Sequence, residues 1–231
     1  MPSLFSNVLE ALTREFGPYN FGLLLILCLM LFFQKRVSKE FRRLYPLLFY
    51  WVVSEYMGIV VAVVYEGNAP VHHLFTVVYY LLLVYYFYPI LKEETGMKFY
   101  FIASSAVLFV FALLNALYFQ PLMVMPTNAI MFHCLFILAI TLFSFKQMLA
   151  NPIAVPLQYQ SQFWISAGFL VFNSWAFFFF ATHAYFLQIG AYPELFYKIP
   201  QLISFIMLLF FLASFRAEIK TNQSSNEPFT A

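Results

Sequence analysis

The chain has 231 residues, of which 63% are hydrophobic, 22% aromatic and 10% charged, with a formal net charge of +2 and a mean hydropathy of +0.81. Soluble domains carry about 25% charged residues, so this composition excludes a water-soluble globule. The near-neutral balance gives no basis for a nucleic-acid partner, and every acidic residue is a glutamate.

At the N-terminus Leu4, Phe5, Val8, Leu9, Leu12 and Phe16 recur at helical spacing, with Ser6, Glu10, Arg14 and Glu15 between them. The pattern predicts a short amphipathic helix over 3–16, lying in the membrane interface and ended by Gly17-Pro18. It lacks the basic start and small-residue cleavage site of a secretory signal. Residues 1–18 therefore read as an interfacial segment.

Seven apolar stretches follow, at 19–33, 44–65, 70–91, 99–119, 127–146, 163–189 and 195–215. About 20 apolar residues cross a hydrocarbon core of roughly 30 Å, so each stretch predicts a transmembrane helix. Helices satisfy their backbone polar groups within the segment, as the bilayer interior demands. The expected fold is an all-α polytopic membrane protein, a seven-helix bundle over 19–215 with a cytoplasmic, disordered tail over 216–231. Ten of the twelve Lys and Arg residues fall on one side: Lys35, Arg36, Lys39, Arg42, Arg43, Lys92, Lys98, Lys146, Arg216 and Lys220. Only Arg14 and Lys198 fall on the other, so the positive-inside rule puts the N-terminus outside and the C-terminus in the cytoplasm.

Cys28 and Cys134 lie in apolar stretches on different helices and read as buried thiols rather than a disulfide. The longest connection, Gln147–Gln162, carries Pro152 and Pro156 but no charge pattern that suggests catalysis or docking.

Ionisable residues at membrane depth are costly, so each is a functional candidate. Glu55 lies about ten residues, or roughly 15 Å, before the end of the second span. It is either a neutral or paired buried carboxyl, or a ligand- or proton-coupled carboxylate facing a polar cavity. Ser54 and Gly58 beside it form a small-residue face suited to close helix approach. His72, His73, His133 and His183 all fall in the outer half, with Lys198, Gln201 and Ser204 toward the outside, Asn115 near the outer end of the fourth span and Asn173 near the middle of the sixth. No spacing puts two histidines on one helix face, and His72 and His73 point apart, which argues against a metal centre. Tyr79 and Tyr80 lie deep enough to need hydroxyl partners, Glu55 among the candidates. A retinal protein would need a lysine near the middle of the last span, and the seven-helix zinc amidohydrolases need an aspartate and paired histidines. Both patterns are missing. Pro200-Gln201 echoes the PQ-loop transporters, but no second Pro-Gln occurs.

The run Gln162-Phe163-Trp164-Ile165-Ser166-Ala167-Gly168 opens the sixth span after the proline-bearing loop. It resembles the Ser-Pro-x-Phe-Trp-Ile-x-x-Gly segment of a large bacterial family of seven-helix inner-membrane proteins. Glu55, Asn68 and Asn115 agree with that resemblance in position and order. Gln162 replaces the motif's proline, the Tyr79-Tyr80 region replaces an acidic residue, and Gln201 stands for an asparagine. The resemblance implies a membrane sensor region associated with a histidine kinase in a bacterial inner membrane. The expectation is a non-enzymatic receptor, without metal or cofactor, that signals through a cytoplasmic partner. Its outward-facing pocket would be built from Glu55, His133, Asn173, His183, Lys198 and Gln201. A small-solute or proton-coupled transporter using Glu55, or a structural subunit of a membrane complex, are the alternatives.

Overall fold

Apolar segments bounded by Gly, Pro and charged residues form helices throughout the computed structural model, which describes residues 4–15, 18–152, 155–188 and 195–226. No strand occurs among them. The amphipathic segment is helix α1 (Leu4–Glu15), followed by α2 (Pro18–Phe32) and the short α3 (Lys39–Arg42). The longer helices are α4 (Tyr45–Tyr65), α5 (Ala69–Leu91), α6 (Met97–Leu114), α7 (Thr127–Ala150), α8 (Ser161–Gln188) and α9 (Leu195–Asn226). A π-helical turn, Asn115–Phe119, extends α6.

Six of these segments are long and apolar enough to cross a membrane: Lys39–Tyr65, Ala69–Leu91, Met97–Phe119, Thr127–Ala150, Ser161–His183 and Ile199–Thr221. The protein is therefore a multi-pass membrane protein. The first expected span falls short of the others. At 1.5 Å per residue the 15 residues of α2 reach about 22 Å, less than a hydrocarbon core of roughly 30 Å. The last helix differs the other way, running eleven residues past 215 to Asn226, so 216–226 are helical rather than a disordered tail. Nothing between Arg216 and Asn226 is Gly or Pro, the residues that most often end a helix.

The helices pack as a closed ring in the order α2, α4, α5, α7, α8, α9 and back to α2, with α6 outside against α5 and α7. Helix α1 lies on α4. An aromatic layer fills the ring. The Trp51 ring meets Tyr79, Phe172 and Phe211 at centroid separations of 5.7, 5.6 and 6.2 Å, and Phe169 lies 5.7 Å from Phe211. Edge-on aromatic pairs of this kind add about 0.5–1.5 kcal/mol each beyond their burial. The outer surface is equally apolar: Phe21, Phe49, Phe99, Phe109 and Phe178 are all exposed. Such a surface would aggregate in water and is at rest in lipid. Cys28 belongs to it, exposed rather than buried as expected, while Cys134 is buried; both thiols are free.

Two polar contacts fix the helices near their ends. Ser144 on α7 meets Ser166 on α8 through their hydroxyls at 2.8 Å and accepts from Gln162 Nε2 at 2.9 Å. The α6–α7 connection is tied by buried Asn115, whose Nδ2 donates to Gln120 Oε1 at 3.0 Å and whose Oδ1 accepts from Asn128 Nδ2 at 3.2 Å. Gln120 then donates to Thr127 Oγ1 at 2.7 Å. These bonds assign Asn115 to structure rather than to a ligand. Asn115→Ala leaves both amide partners short of a bond and is expected to cost about 1–3 kcal/mol, read as a lower unfolding temperature in detergent.

Candidate ligand cavity

The deep carboxylate organises one end of the ring. Helix α4 places Trp51 one turn before Glu55, and the indole Nε1 donates to Glu55 Oε1 at 3.2 Å. Tyr19, at the start of α2, donates its hydroxyl to the same oxygen at 3.1 Å. Short α2 thus begins level with Glu55. Helix α1, packed on α4, contributes Ala11 to the wall of the adjoining space.

That space is a cavity of about 580 Å³ at the end of the ring opposite the lysine- and arginine-rich connections. A volume in the range of about 300–1,000 Å³ with few convergent polar groups is the usual form of a small-molecule site. Four of the six residues expected from sequence meet there: Glu55 from α4, His133 from α7, Asn173 from α8 and Gln201 from α9. His183 does not line it. It sits one turn further along α8, its ring against Phe179 and Phe180 at 5.7 and 6.4 Å. The side chain of Lys198 lies outside the described residues.

The polar lining divides by what it already touches. Asn173 Nδ2 donates back to the Phe169 carbonyl at 2.8 Å, and Thr76 Oγ1 to the His72 carbonyl at 2.7 Å. His72 lines the cavity, while His73 turns away and meets the Val124 carbonyl at 3.0 Å, as adjacent helix positions require. Tyr79 and Tyr80 separate in the same way. The Tyr80 hydroxyl pairs with Ser104 Oγ at 2.6 Å, outside the cavity. The Tyr79 hydroxyl and His133 Nε2 are buried, line the cavity and have no hydrogen-bond partner among the described residues. Glu55, one candidate partner, bonds neither tyrosine; Tyr19 and Trp51 hold it instead. Its Oε2 accepts no hydrogen bond from a described residue.

Gly58 also has a different use from the one its spacing suggests. A Cβ added there would meet only Asn68, at 4.0 Å, so the glycine widens the cavity rather than admitting a neighbouring helix. Trp51 and Tyr19 are the functional residues the sequence reading missed. Trp51 carried a signal, a donor four residues before a buried glutamate. Tyr19 carried none.

Among the described residues no three His, Cys or Glu side chains gather around one point. No protein-family model, curated protein or solved structure matches the chain. The fold and cavity define a class: a multi-pass helical membrane protein whose ring of helices encloses, at one end, a largely apolar cavity with a few polar groups.

Proposed function

We propose that the protein is a non-enzymatic membrane receptor that binds a small molecule in this cavity and passes the occupied state to a cytoplasmic partner. In this reading α2 is the seventh span, held in register by α1, and the N-terminus is outside a bacterial inner membrane. A histidine kinase is the partner that the helix-six resemblance suggests. One observation carries the reading: two buried polar atoms on the cavity wall, Tyr79 Oη and His133 Nε2, have no hydrogen-bond partner among the described residues, and the cavity-lining Glu55 Oε2 accepts no bond from them either. Buried polar groups are nearly always satisfied, and a bound molecule would satisfy these. All six ring helices, α2, α4, α5, α7, α8 and α9, contribute side chains, so occupancy changes their mutual packing.

The test is accessibility. With Cys28→Ala and Cys134→Ala in place, an Ala62→Cys thiol on the cavity wall is expected to react with a membrane-impermeant maleimide added outside intact cells. The same reagent should not reach it from the cytoplasmic face of inverted vesicles. Labelling only from the cytoplasmic face would overturn the orientation and the receptor reading together.

A transporter is the second reading, and one feature favours it. A further cavity of about 410 Å³, lined by Glu40, Tyr86, Gln147, Gln162 and Glu218 among others, lies at the basic end and shares no lining residue with the first. The Trp51–Phe211 aromatic layer lies between them. Labelling of Ala62→Cys from both faces would move the assignment to transport.

A further inference from the structure

We infer that the cavity is a site for an organic ammonium ion, a protonated amine carried on a small apolar or aromatic body. The inference rests on the receptor reading of the same cavity and names the chemistry of its ligand.

The charge pattern comes first. Among the described lining residues Glu55 is the one carboxylate, and none is Lys or Arg. Both of its hydrogen bonds go to Oε1, from Tyr19 and Trp51. Oε2 has no hydrogen-bond partner among the described residues, so it is free to accept from a ligand. An ammonium N–H supplies the donor that this oxygen lacks, together with the opposite charge.

The walls agree. Trp51, Phe75, Tyr79, Phe172, Trp175 and Phe179 line the same space. Phe75 and Tyr79 stack at 4.8 Å and Trp175 and Phe179 at 5.0 Å, giving paired rings on α5 and α8. Aromatic faces attract cations, and most strongly where water is excluded. An anionic ligand would meet the Glu55 carboxylate, and a neutral apolar one would leave Oε2 desolvated without a partner. At the other polar site Tyr79 Oη and His133 Nε2 suit a hydroxyl or carbonyl on the ligand body.

Two of the chain's three tryptophans, Trp51 and Trp175, line the cavity, so intrinsic fluorescence reports its occupancy. The purified full-length protein is titrated with phenethylamine and 4-phenylbutylamine, and with the isosteric 2-phenylethanol and phenylacetate. Saturable binding of the amines, at least tenfold tighter than the alcohol or the acid, is expected. Glu55→Gln, checked for cooperative unfolding, should weaken amine binding at least tenfold and leave 2-phenylethanol unchanged. Equal affinity for amine and alcohol would overturn the ammonium assignment while leaving a binding cavity. Failure of both amines to saturate would overturn it too, with the receptor reading then judged by Ala62→Cys labelling alone. The wild-type charge series decides the question even if the Glu55 variant does not fold.

Discussion

Gly168→Ala is expected to destabilise the protein, and Gly168→Val to do so by about 3 kcal/mol or enough to abolish folded expression. The sign is the informative part. Helix propensity alone makes alanine about 1 kcal/mol better than glycine in a helix interior. Packing opposes it here: a Cβ at Gly168 would stand 2.9 Å from Phe210 Cβ and 3.4 Å from its Cγ. The near atom belongs to the root of the side chain, so it cannot swing aside without moving α9. Helices α8 and α9 both line the cavity, through Asn173 and Gln201, so separating them also distorts the site. Unfolding in a graded series of denaturing detergent measures the cost. Phe210→Ala should not rescue the Gly168 variants, because alanine keeps the offending Cβ. Rescue would mean that ring crowding, and not backbone approach, sets the contact. Gly22 offers an internal comparison. A Cβ there meets only the Leu208 Cδ1 tip at 3.0 Å, which a rotamer change can relieve. Gly22→Ala is therefore expected to stay within about 1 kcal/mol of wild type.

The sequence carried the spans because hydropathy is additive along a segment, and it carried α1 because an amphipathic repeat needs no tertiary partner to be recognised. The same reasoning picked out Glu55, His133, Asn173 and Gln201, which are conspicuous as polar side chains in apolar runs. Their convergence was not readable, since it depends on how six helices rotate about their axes. His183 shows the limit: it shares the character of His133 but sits a turn beyond the cavity wall. Aromatic residues with a polar edge were the least legible. In a chain with 32 phenylalanines and 16 tyrosines, nothing separates Tyr19 from its neighbours until α2 proves short enough to bring it level with Glu55. The helix-six run finds its physical sense in packing. Gln162 and Ser166 bond Ser144, and Gly168 admits Phe210.

The other large effect is expected at the basic end, from a residue that hydropathy assigned to a tail. Glu218 is 8% exposed on the extended part of α9. Its Oε1 accepts the backbone N–H of Ser38 at 2.9 Å, and its Oε2 accepts the hydroxyl of Ser161 at 2.6 Å. Ser38 itself caps α3 by accepting the Phe41 N–H at 3.1 Å, and Ser161 is the first residue of α8. One carboxylate therefore joins the α2–α4 connection, the start of α8 and the C-terminal part of α9. Its charge also lies at the positive N-terminal end of α8, where an anion is favoured. Hydrogen bonds to a charged acceptor contribute about 1.5–3 kcal/mol each, so Glu218→Ala is expected to cost about 3 kcal/mol, locally at this junction. Glu218→Gln keeps the shape and one acceptor oxygen and should lose about half as much. The α2–α4 connection holds Lys35, Arg36, Lys39, Arg42 and Arg43, which makes trypsin a local probe of its release. Where cleavage follows local opening, 3 kcal/mol corresponds to roughly a 100-fold faster cut. Cleavage of Glu218→Ala at the wild-type rate would show that the three segments hold together without the carboxylate. A 100-fold gain with an unchanged global transition would place the junction among the parts of the bundle that open first. Helices α8 and α9 run from this junction to the cavity at the other end, so it is also where a change in their packing would emerge on the basic face.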